Sequence, residues 1–282
     1  MSSPTPRDPL TAVLPVHNLG DRAGRYFAKW LTGLAQLGRE FSLLIVDDGS
    51  TDGTTAAAEA VVAANPNAKL LRHETPRGFG ACLRTALPEA THPLLLYAAA
   101  DYPYEPGDVR KLLEVYGTAD EFTGLTVRVV NGCRGGRPKP VVWDFTGWSV
   151  RVLCRYVLGN PVDPYPGWLD FRNHAYAWVA WLVFGDPFVD PHSGLKLFDR
   201  TLLDRFPIQS DGDFVHTELV GKATFLTTLM SEVPLAPKPD PIPRCRVWKD
   251  LWAVYKRPKF VHSEPAVQPH VDSATVPNPM PV

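Results

Sequence analysis

The sequence predicts an α/β protein: a mostly parallel sheet covered by helices on both faces. Apolar runs of strand length alternate with helix-period segments throughout the first half, and several of those runs end in polar or acidic clusters. The spacers between them are long enough for helical crossovers, which parallel strands require.

The first strand is expected at Leu10-Thr-Ala-Val-Leu-Pro-Val16, followed by a polar turn at His17 to Asp21. Phe27, Trp30, Leu31, Leu34 and Leu37 then recur three and four apart, which is one face of a helix. Phe41 to Val46 reads as a buried strand running into Asp47-Asp48-Gly49-Ser50-Thr51-Asp52-Gly53-Thr54, and Thr55 to Ala64 is an alanine-rich helix. A strand at Ala68 to Arg72, a Gly78-Phe79-Gly80 turn and a helix to Leu87 come next. Pro93 to Tyr97 is a further strand ending at Ala98-Ala99-Ala100-Asp101, and a helix from Pro106 to Tyr116 has proline in its first turn.

The second half is less regular. A strand is expected over Leu125 to Asn131, then a basic turn, Gly132 to Arg137. Residues 145–185 form an apolar, aromatic insert read as two helices joined by a Pro-rich loop. Asp190 to Phe198, a helix near Val215 to Phe225 and a strand at Met230 to Pro234 complete the body. One domain over residues 10–257 is therefore expected, between a disordered N-terminus (1–9) and a Pro-rich disordered tail (258–282).

Lys+Arg 29 against Asp+Glu 30 leaves a net charge of -1, which excludes a globally basic nucleic-acid binder. Four separated cysteines without a CxxC pair, and no signal-peptide pattern at Met1 to Pro9, lead to the expectation of a reduced, cytoplasmic chain. No apolar run reaches the roughly 18 residues of a membrane span; Ala175 to Phe184 comes closest.

In an open parallel sheet, ligands bind outside the carboxyl ends of the strands. His17-Asn18, Asp47-Asp48 and Asp101 fall at three such ends. Carboxylates there can accept hydrogen bonds from a base or ribose, or hold a hard divalent cation such as Mg²⁺ or Mn²⁺ beside a diphosphate. Asp47 to Ser50 also reads as a loop leading into a helix N-cap, a reading that the three aligned strand ends disfavour. No zinc cluster, serine-hydrolase elbow or P-loop motif is present.

Leu14-Pro15-Val16-His17-Asn18, the string Val46 to Thr54, Arg77-Gly78-Phe79-Gly80 and Asp101-Tyr-Pro-Tyr-Glu-Pro106 resemble, in order, the motifs of family 2 glycosyltransferases. Asn131-Gly-Cys-Arg134, Asp190 to Phe198 and Glu232-Val-Pro234 resemble its polyprenyl- or dolichyl-phosphate mannosyl/glucosyltransferase branch. The resemblance implies a GT-A fold and an inverting enzyme that moves a hexose from a nucleotide sugar (UDP- or GDP-linked) to a lipid-linked phosphate, at the inner face of the membrane. It implies that Pro15, His17, Asn18, Asp47, Asp48, Arg77 and Gly78 surround the nucleoside, and that Asp101 is the metal- and diphosphate-side carboxylate. By the same likeness Arg134, Ser193 and Lys196 hold the acceptor phosphate, and Arg244 or Lys249 closes over the donor diphosphate. Asp190 is the expected base if the acceptor is instead a saccharide hydroxyl.

Four positions depart from the family pattern. Ala99, Asp101 and Pro103 stand where Asp-x-Asp and a following Gln are usual, so metal affinity is expected to fall and a nucleotide-binding relative with weakened turnover is the second reading. Leu19 replaces a Glu, and Lys196 replaces an Arg, losing the bidentate fork.

Trp248, Leu251, Trp252 and Tyr255 lie at i, i+3, i+4 and i+7 among six cations. They form either a stripe docked on the body or an interfacial helix on anionic lipid. The aromatic residues of 143–184 are core, a bay for a prenyl chain, or a surface inserted shallowly beside lipid headgroups; His216 and Glu218 line the acceptor side or are partly buried polar groups.

Overall fold

A computed structural model describes residues 7–100, 102–134, 176–226, 228–236 and 248–261, the last segment with side chains from Asp250 onward. Asp101, most of the 145–185 insert, Arg244 and the Lys249 side chain lie outside the described residues.

Seven strands form one sheet in the order β3-β2-β1-β4-β6-β5-β7. They are β1 (Leu10–Val16), β2 (Phe41–Asp48), β3 (Ala68–His73), β4 (Leu94–Ala98), β5 (Val127–Cys133), β6 (Leu195–Asp199) and β7 (Leu229–Pro234). β1 to β4 run parallel, β6 is antiparallel to both its neighbours, and β5 pairs parallel with β7. Every residue of β1 and β4 is buried, because helices cover both faces of a parallel sheet.

The helices are α1 (Ala23–Ala35), α2 (Thr54–Ala64), α3 (Phe79–Ala86), α4 (Pro106–Val115), a one-turn α5 (Arg200–Leu203), α6 (Val215–Thr224) and α7 (Trp248–Lys256). Residues 176–184 are also helical. Alternate strand residues divide between two cores. Leu10, Ala12 and Leu14 meet Phe27, Trp30 and Leu34 of α1 and Val109 and Leu112 of α4. Val13, Leu44 and Val46 face Cys82 and Leu83 of α3 and Val215 and Leu219 of α6. That period of two is what fixes the sheet register.

The described residues at both ends of the chain are tied to the body. The Asp8 carbonyl accepts from Arg39 at 3.2 Å and the Pro9 carbonyl from the Leu94 amide at 3.3 Å. Downstream of residue 257, the Val261 amide donates to Arg205 O at 2.8 Å and Phe260 packs edge-on against Phe225. Backbone pairing ties these segments down despite their proline and polar content.

The stripe expected on α7 is rotated. Leu251 and Val254 are the buried residues, joined to Tyr176, Ala180, Phe184 and Phe214, while Trp252 and Tyr255 point outward. In the helical residues 176–184, Tyr176, Ala180 and Phe184 face the body and Trp178, Trp181 and Leu182 face away. Residues 176–184 are therefore core on one side and an exposed apolar surface on the other.

Candidate active site

A cavity of about 300 Å³ opens at the carboxyl ends of β1, β2 and β4. Pro15 to Leu19 and Arg22 supply one wall, Asp48 the floor, Phe79 and Cys82 of α3 a second wall, and Ala99 and Ala100 a third. β1 is the point from which the chain order runs outward in both directions, so the flanking loops diverge there and leave a crevice.

The loops around the crevice are laced together. Asn18 N donates to Ser50 Oγ at 3.0 Å, Leu19 N to Thr54 Oγ1 at 2.8 Å and Gly20 N to Asp52 Oδ2 at 2.7 Å. Asn18 Oδ1 accepts from Thr51 N at 2.9 Å, and Asn18 itself is held at φ 49. Much of the Asp47–Thr54 string thus satisfies backbone amides of the neighbouring loop.

The two adjacent aspartates separate. Asp47 is fully buried; its Oδ1 accepts from Ser50 N at 3.0 Å and its Oδ2 from Thr55 Oγ1. It supports the turn, and of the two aspartates Asp48 is the one that lines the cavity. Asp48 lines the cavity and accepts three N–H bonds: His73 Nδ1 at 2.7 Å and Arg77 N at 2.8 Å on Oδ1, and Gly78 N at 2.8 Å on Oδ2. Burial would raise the Asp48 pKa, but His73 and the two amides together hold it below its ordinary value.

Arg77 and Gly78 are likewise outside the wall; they reach the site through Asp48. Gly78, at φ 96, and Gly80 let α3 approach the 210–212 loop, where a Cβ on Gly80 would come within 2.1 Å of Ser210 O. These glycines serve close backbone approach. Cys82 stands beside Asp48, and burial pushes its thiol far up, so it is an unreactive wall group.

A second polar cluster lies across Ala99, whose amide donates to Gly194 O at 2.8 Å. Arg134 clasps Asp190 through Nε and Nη2, both at 2.8 Å. Burial acts to raise the Asp190 pKa, yet the Arg134 charge and hydrogen bonds bring it below the usual range. Lys196 is fully buried, its Nζ donating to Asn131 Oδ1 at 2.5 Å and Pro191 O at 3.1 Å. Burial lowers its pKa against the opposing pull of Asp186, Asp190 and Glu232. Ser193, also fully buried, shares its hydroxyl with Tyr104 OH at 3.1 Å and donates to Gly132 O.

Arg134, Ser193 and Lys196 are thus brought into one region, but Ser193 and Lys196 spend their donors internally. Arg134 is held by Asp190, Ser193 by Tyr104 and Gly132, and Lys196 by Asn131 and Pro191. Asn131 and Glu232 join this cluster. Sequence reading placed them inside motifs without a role, and their only signal was a polar residue within an otherwise apolar strand pattern.

His216 and Glu218 are both buried polar groups. His216 Nδ1 meets Tyr97 OH at 3.1 Å, and burial pushes its pKa well below the ordinary value. Glu218 accepts from Gln209 N at 2.7 Å, Ser210 N at 2.8 Å and Lys222 Nζ at 2.6 Å. His192 stacks on Tyr176 with centroids 3.8 Å apart.

Among the described residues the carboxylates lining the cavity are Asp48 and Asp213. Asp48 already accepts three N–H bonds, and Ala99 contributes only a methyl group. Asp48, His73 and Cys82 bring ligand atoms within 4.8 Å of one another, but a nitrogen and a sulfur suit neither hard ion.

A parallel sheet with a ligand crevice at its switch point, extended by an antiparallel β6 and a second polar cluster across β4, defines a GT-A fold. The chain belongs to glycosyl transferase family 2, whose family model matches residues 11–160. It is 32% identical over 142 residues to undecaprenyl-phosphate mannosyltransferase of Micrococcus luteus, covering 47% of this chain and 55% of the relative. It is 26% identical over 130 residues to undecaprenyl-phosphate 4-deoxy-4-formamido-L-arabinose transferase of Sodalis glossinidius, covering 45% and 39%. The matched segments therefore span about half or less of these relatives.

Solved structures share the fold. Glucosyl-3-phosphoglycerate synthase from Mycobacterium tuberculosis, in complex with Mg²⁺ and UDP, aligns at a TM-score of 0.54 and 18% identity, over 88% of this chain and 76% of that one. Mannosyl-3-phosphoglycerate synthase from Rubrobacter xylanophilus aligns at 0.50 and 20% identity, over 88% and 70%.

Proposed function

We propose that this chain is an inverting glycosyltransferase that moves a hexose from a UDP- or GDP-linked donor onto a polyprenyl-phosphate-type acceptor. The observation that carries this reading is the adjacency of two sites. The crevice floored by Asp48 and the Arg134–Asp190 cluster meet across the Ala99–Gly194 hydrogen bond.

In this reading Pro15, His17 and Asn18 contact the nucleoside, with Asp48 beneath them and Arg77 and Gly78 held in place by it. Asp47 maintains the loop. Asp101 takes the diphosphate side, and Arg244 or Lys249 closes over it. An acceptor phosphate oxygen beside Arg134 attacks the anomeric carbon from the face opposite the leaving group. The bond to the donor diphosphate breaks, and the nucleoside diphosphate departs with the electron pair. An anionic nucleophile needs no proton removed, so catalysis rests on positioning and charge neutralisation. The engaged state of Asp190 favours this over a hydroxyl acceptor, because a carboxylate with a lowered pKa and a bidentate arginine is a poor base.

A divalent cation at Asp101 would supply further neutralisation of the diphosphate, and no step above depends on it. The second reading, a nucleotide-binding relative without turnover, is favoured by Ala99 and Pro103 in place of the usual ligands.

The chain works at a membrane surface in this reading, on the cytoplasmic side. No helix among the described residues is long and apolar enough to cross a membrane. Trp178, Trp181, Leu182, Trp252 and Tyr255 are exposed, and Lys256, Arg257 and Lys259 are exposed beside the last two. Aromatic groups flanked by cations suit an anionic lipid interface.

Isothermal titration with UDP and GDP, with and without Mn²⁺, followed by a transfer assay to farnesyl phosphate, tests the proposal. Nucleotide-dependent transfer supports it. Nucleotide binding with neither transfer nor donor hydrolysis sinks it in favour of the second reading.

A further inference from the structure

On the reading that Arg134 faces an acceptor phosphate, we propose that Glu232 is a positioning residue that orients Asn131, Lys196 and the Asp190–Arg134 pair through the buried sheet. Asn131 of β5 is the register partner of Lys196 on β6 and of Glu232 on β7, so the three side chains form a row across adjacent strands. Residues far apart in sequence are thereby fixed within one hydrogen-bonded line.

The line has a direction. Glu232 Oε1 accepts from Asn131 Nδ2 at 2.7 Å, and Asn131 Nδ2 also donates to Asp190 O at 3.0 Å. With both amide hydrogens committed, Asn131 must turn Oδ1 toward Lys196 Nζ, 2.5 Å away. A second route runs through the backbone: Val189 N donates to Glu232 Oε2 at 3.0 Å and Asp190 N to Oε1 at 3.1 Å. Asp190 then holds Arg134 by its side chain. Asn131 and Lys196 are 0% exposed, so water does not supply a substitute partner.

A carboxylate at position 232 only accepts, which is why it sets the sense of the chain. A glutamine there can offer its NH₂ to Asn131, flip that amide and present Asn131 Nδ2 to the Lys196 ammonium, donor against donor. The titratable groups facing Lys196 are Asp186, whose carboxyl pKa burial pushes up to about 7, Asp190, Glu232, which burial also raises, and Arg134, with His216 nearby. Loss of the Glu232 charge removes one of the carboxylates whose field raises the Lys196 pKa, so that pKa falls.

The test uses E232Q and the double variant E232Q/N131D in the full chain. The double variant restores both the net charge and an acceptor for Lys196. Two readouts apply: the Lys196 side-chain pKa by ¹³C NMR, and the Kd for farnesyl phosphate, beside the Kd for whichever of UDP or GDP the wild type binds. E232Q is expected to lower the Lys196 pKa by about one unit and to weaken farnesyl phosphate by roughly tenfold, with nucleotide affinity within about twofold. The double variant is expected to recover most of both losses.

An unchanged Lys196 pKa and farnesyl phosphate affinity in folded E232Q overturns the role of Glu232. So does a double variant no better than E232Q, or one that fails to bind if E232Q alone does not fold. A wild type that binds nucleotide but no farnesyl phosphate overturns the acceptor reading itself, which is a separate result.

Discussion

Arg134 and Asp190 form a buried ion pair closed at three points: Nε to Oδ2 and Nη2 to Oδ1, both at 2.8 Å, and the Arg134 amide to Oδ2 at 3.0 Å. The side chains are 5% and 15% exposed, so solvent screens the pair little. The pair orients the guanidinium while keeping the carboxylate ionised.

Replacing Asp190 by Asn leaves that arginine without its counter-charge. Removing one partner of a buried pair costs about 3–5 kcal/mol, so urea unfolding of D190N should show a loss in that range. Loss of a general base costs at least about 100-fold in rate. Transfer to farnesyl phosphate by D190N should fall by less than that; a larger fall in a folded variant would return Asp190 to the role of base.

Asp48 gives an acid-dependent stability term. Its folded pKa lies below its ordinary value of 3.8, so its contribution is complete above that value and is lost as the pH falls through the lower, folded one. D48N removes this component. Its unfolding free energy should therefore vary less with pH below about 4 than that of the wild type, with an overall loss of roughly 1–3 kcal/mol from weakened bonds to His73, Arg77 and Gly78.

Gly80 allows α3 to meet the 210–212 loop. An alanine would set its Cβ 2.1 Å from Ser210 O, a backbone atom that cannot rotate away. G80A is expected to destabilise by about 1–3 kcal/mol, measured by chemical denaturation, and to weaken nucleotide binding because α3 carries Phe79 and Cys82 of the cavity wall.

Ala99 lines the cavity, at a position where the resemblance to the family implies a carboxylate. A99D should increase the dependence of nucleotide affinity on Mn²⁺ by about tenfold, roughly 1.4 kcal/mol. Titrations with and without Mn²⁺ measure it; equal metal dependence in both proteins would count against a cation site at Asp101.

The exposed aromatic surface predicts salt-sensitive sedimentation with phosphatidylglycerol vesicles and little with phosphatidylcholine alone. Each cation near an anionic surface contributes about 1 kcal/mol. Charge reversal at Lys256, Arg257 and Lys259 should therefore weaken binding by at least about 100-fold, while W178A/W181A should weaken it at every salt concentration.

The alternation of strands and helices in the first half was legible because the strands are short continuous apolar runs while the apolar residues of α1 recur three and four apart. The antiparallel course of β6 was not. No local pattern in Asp190 to Phe198 records which neighbour it joins. The same limit applied at the site. Asp47 and Asp48 are consecutive and chemically alike, but β pleating sends them in opposite directions, one into the α2 turn and one onto the cavity floor.

By itself, then, the sequence determined the α/β class, the strand ends that carry polar groups and the family to which those motifs belong, since all three are written in short-range composition and spacing. Only the tertiary structure decided which polar groups face the crevice and which are consumed in bracing it. Lys196, Ser193 and Glu232 acquire their roles from partners 42 to 101 residues away. Those partners become neighbours solely through the pairing of β4, β6, β5 and β7.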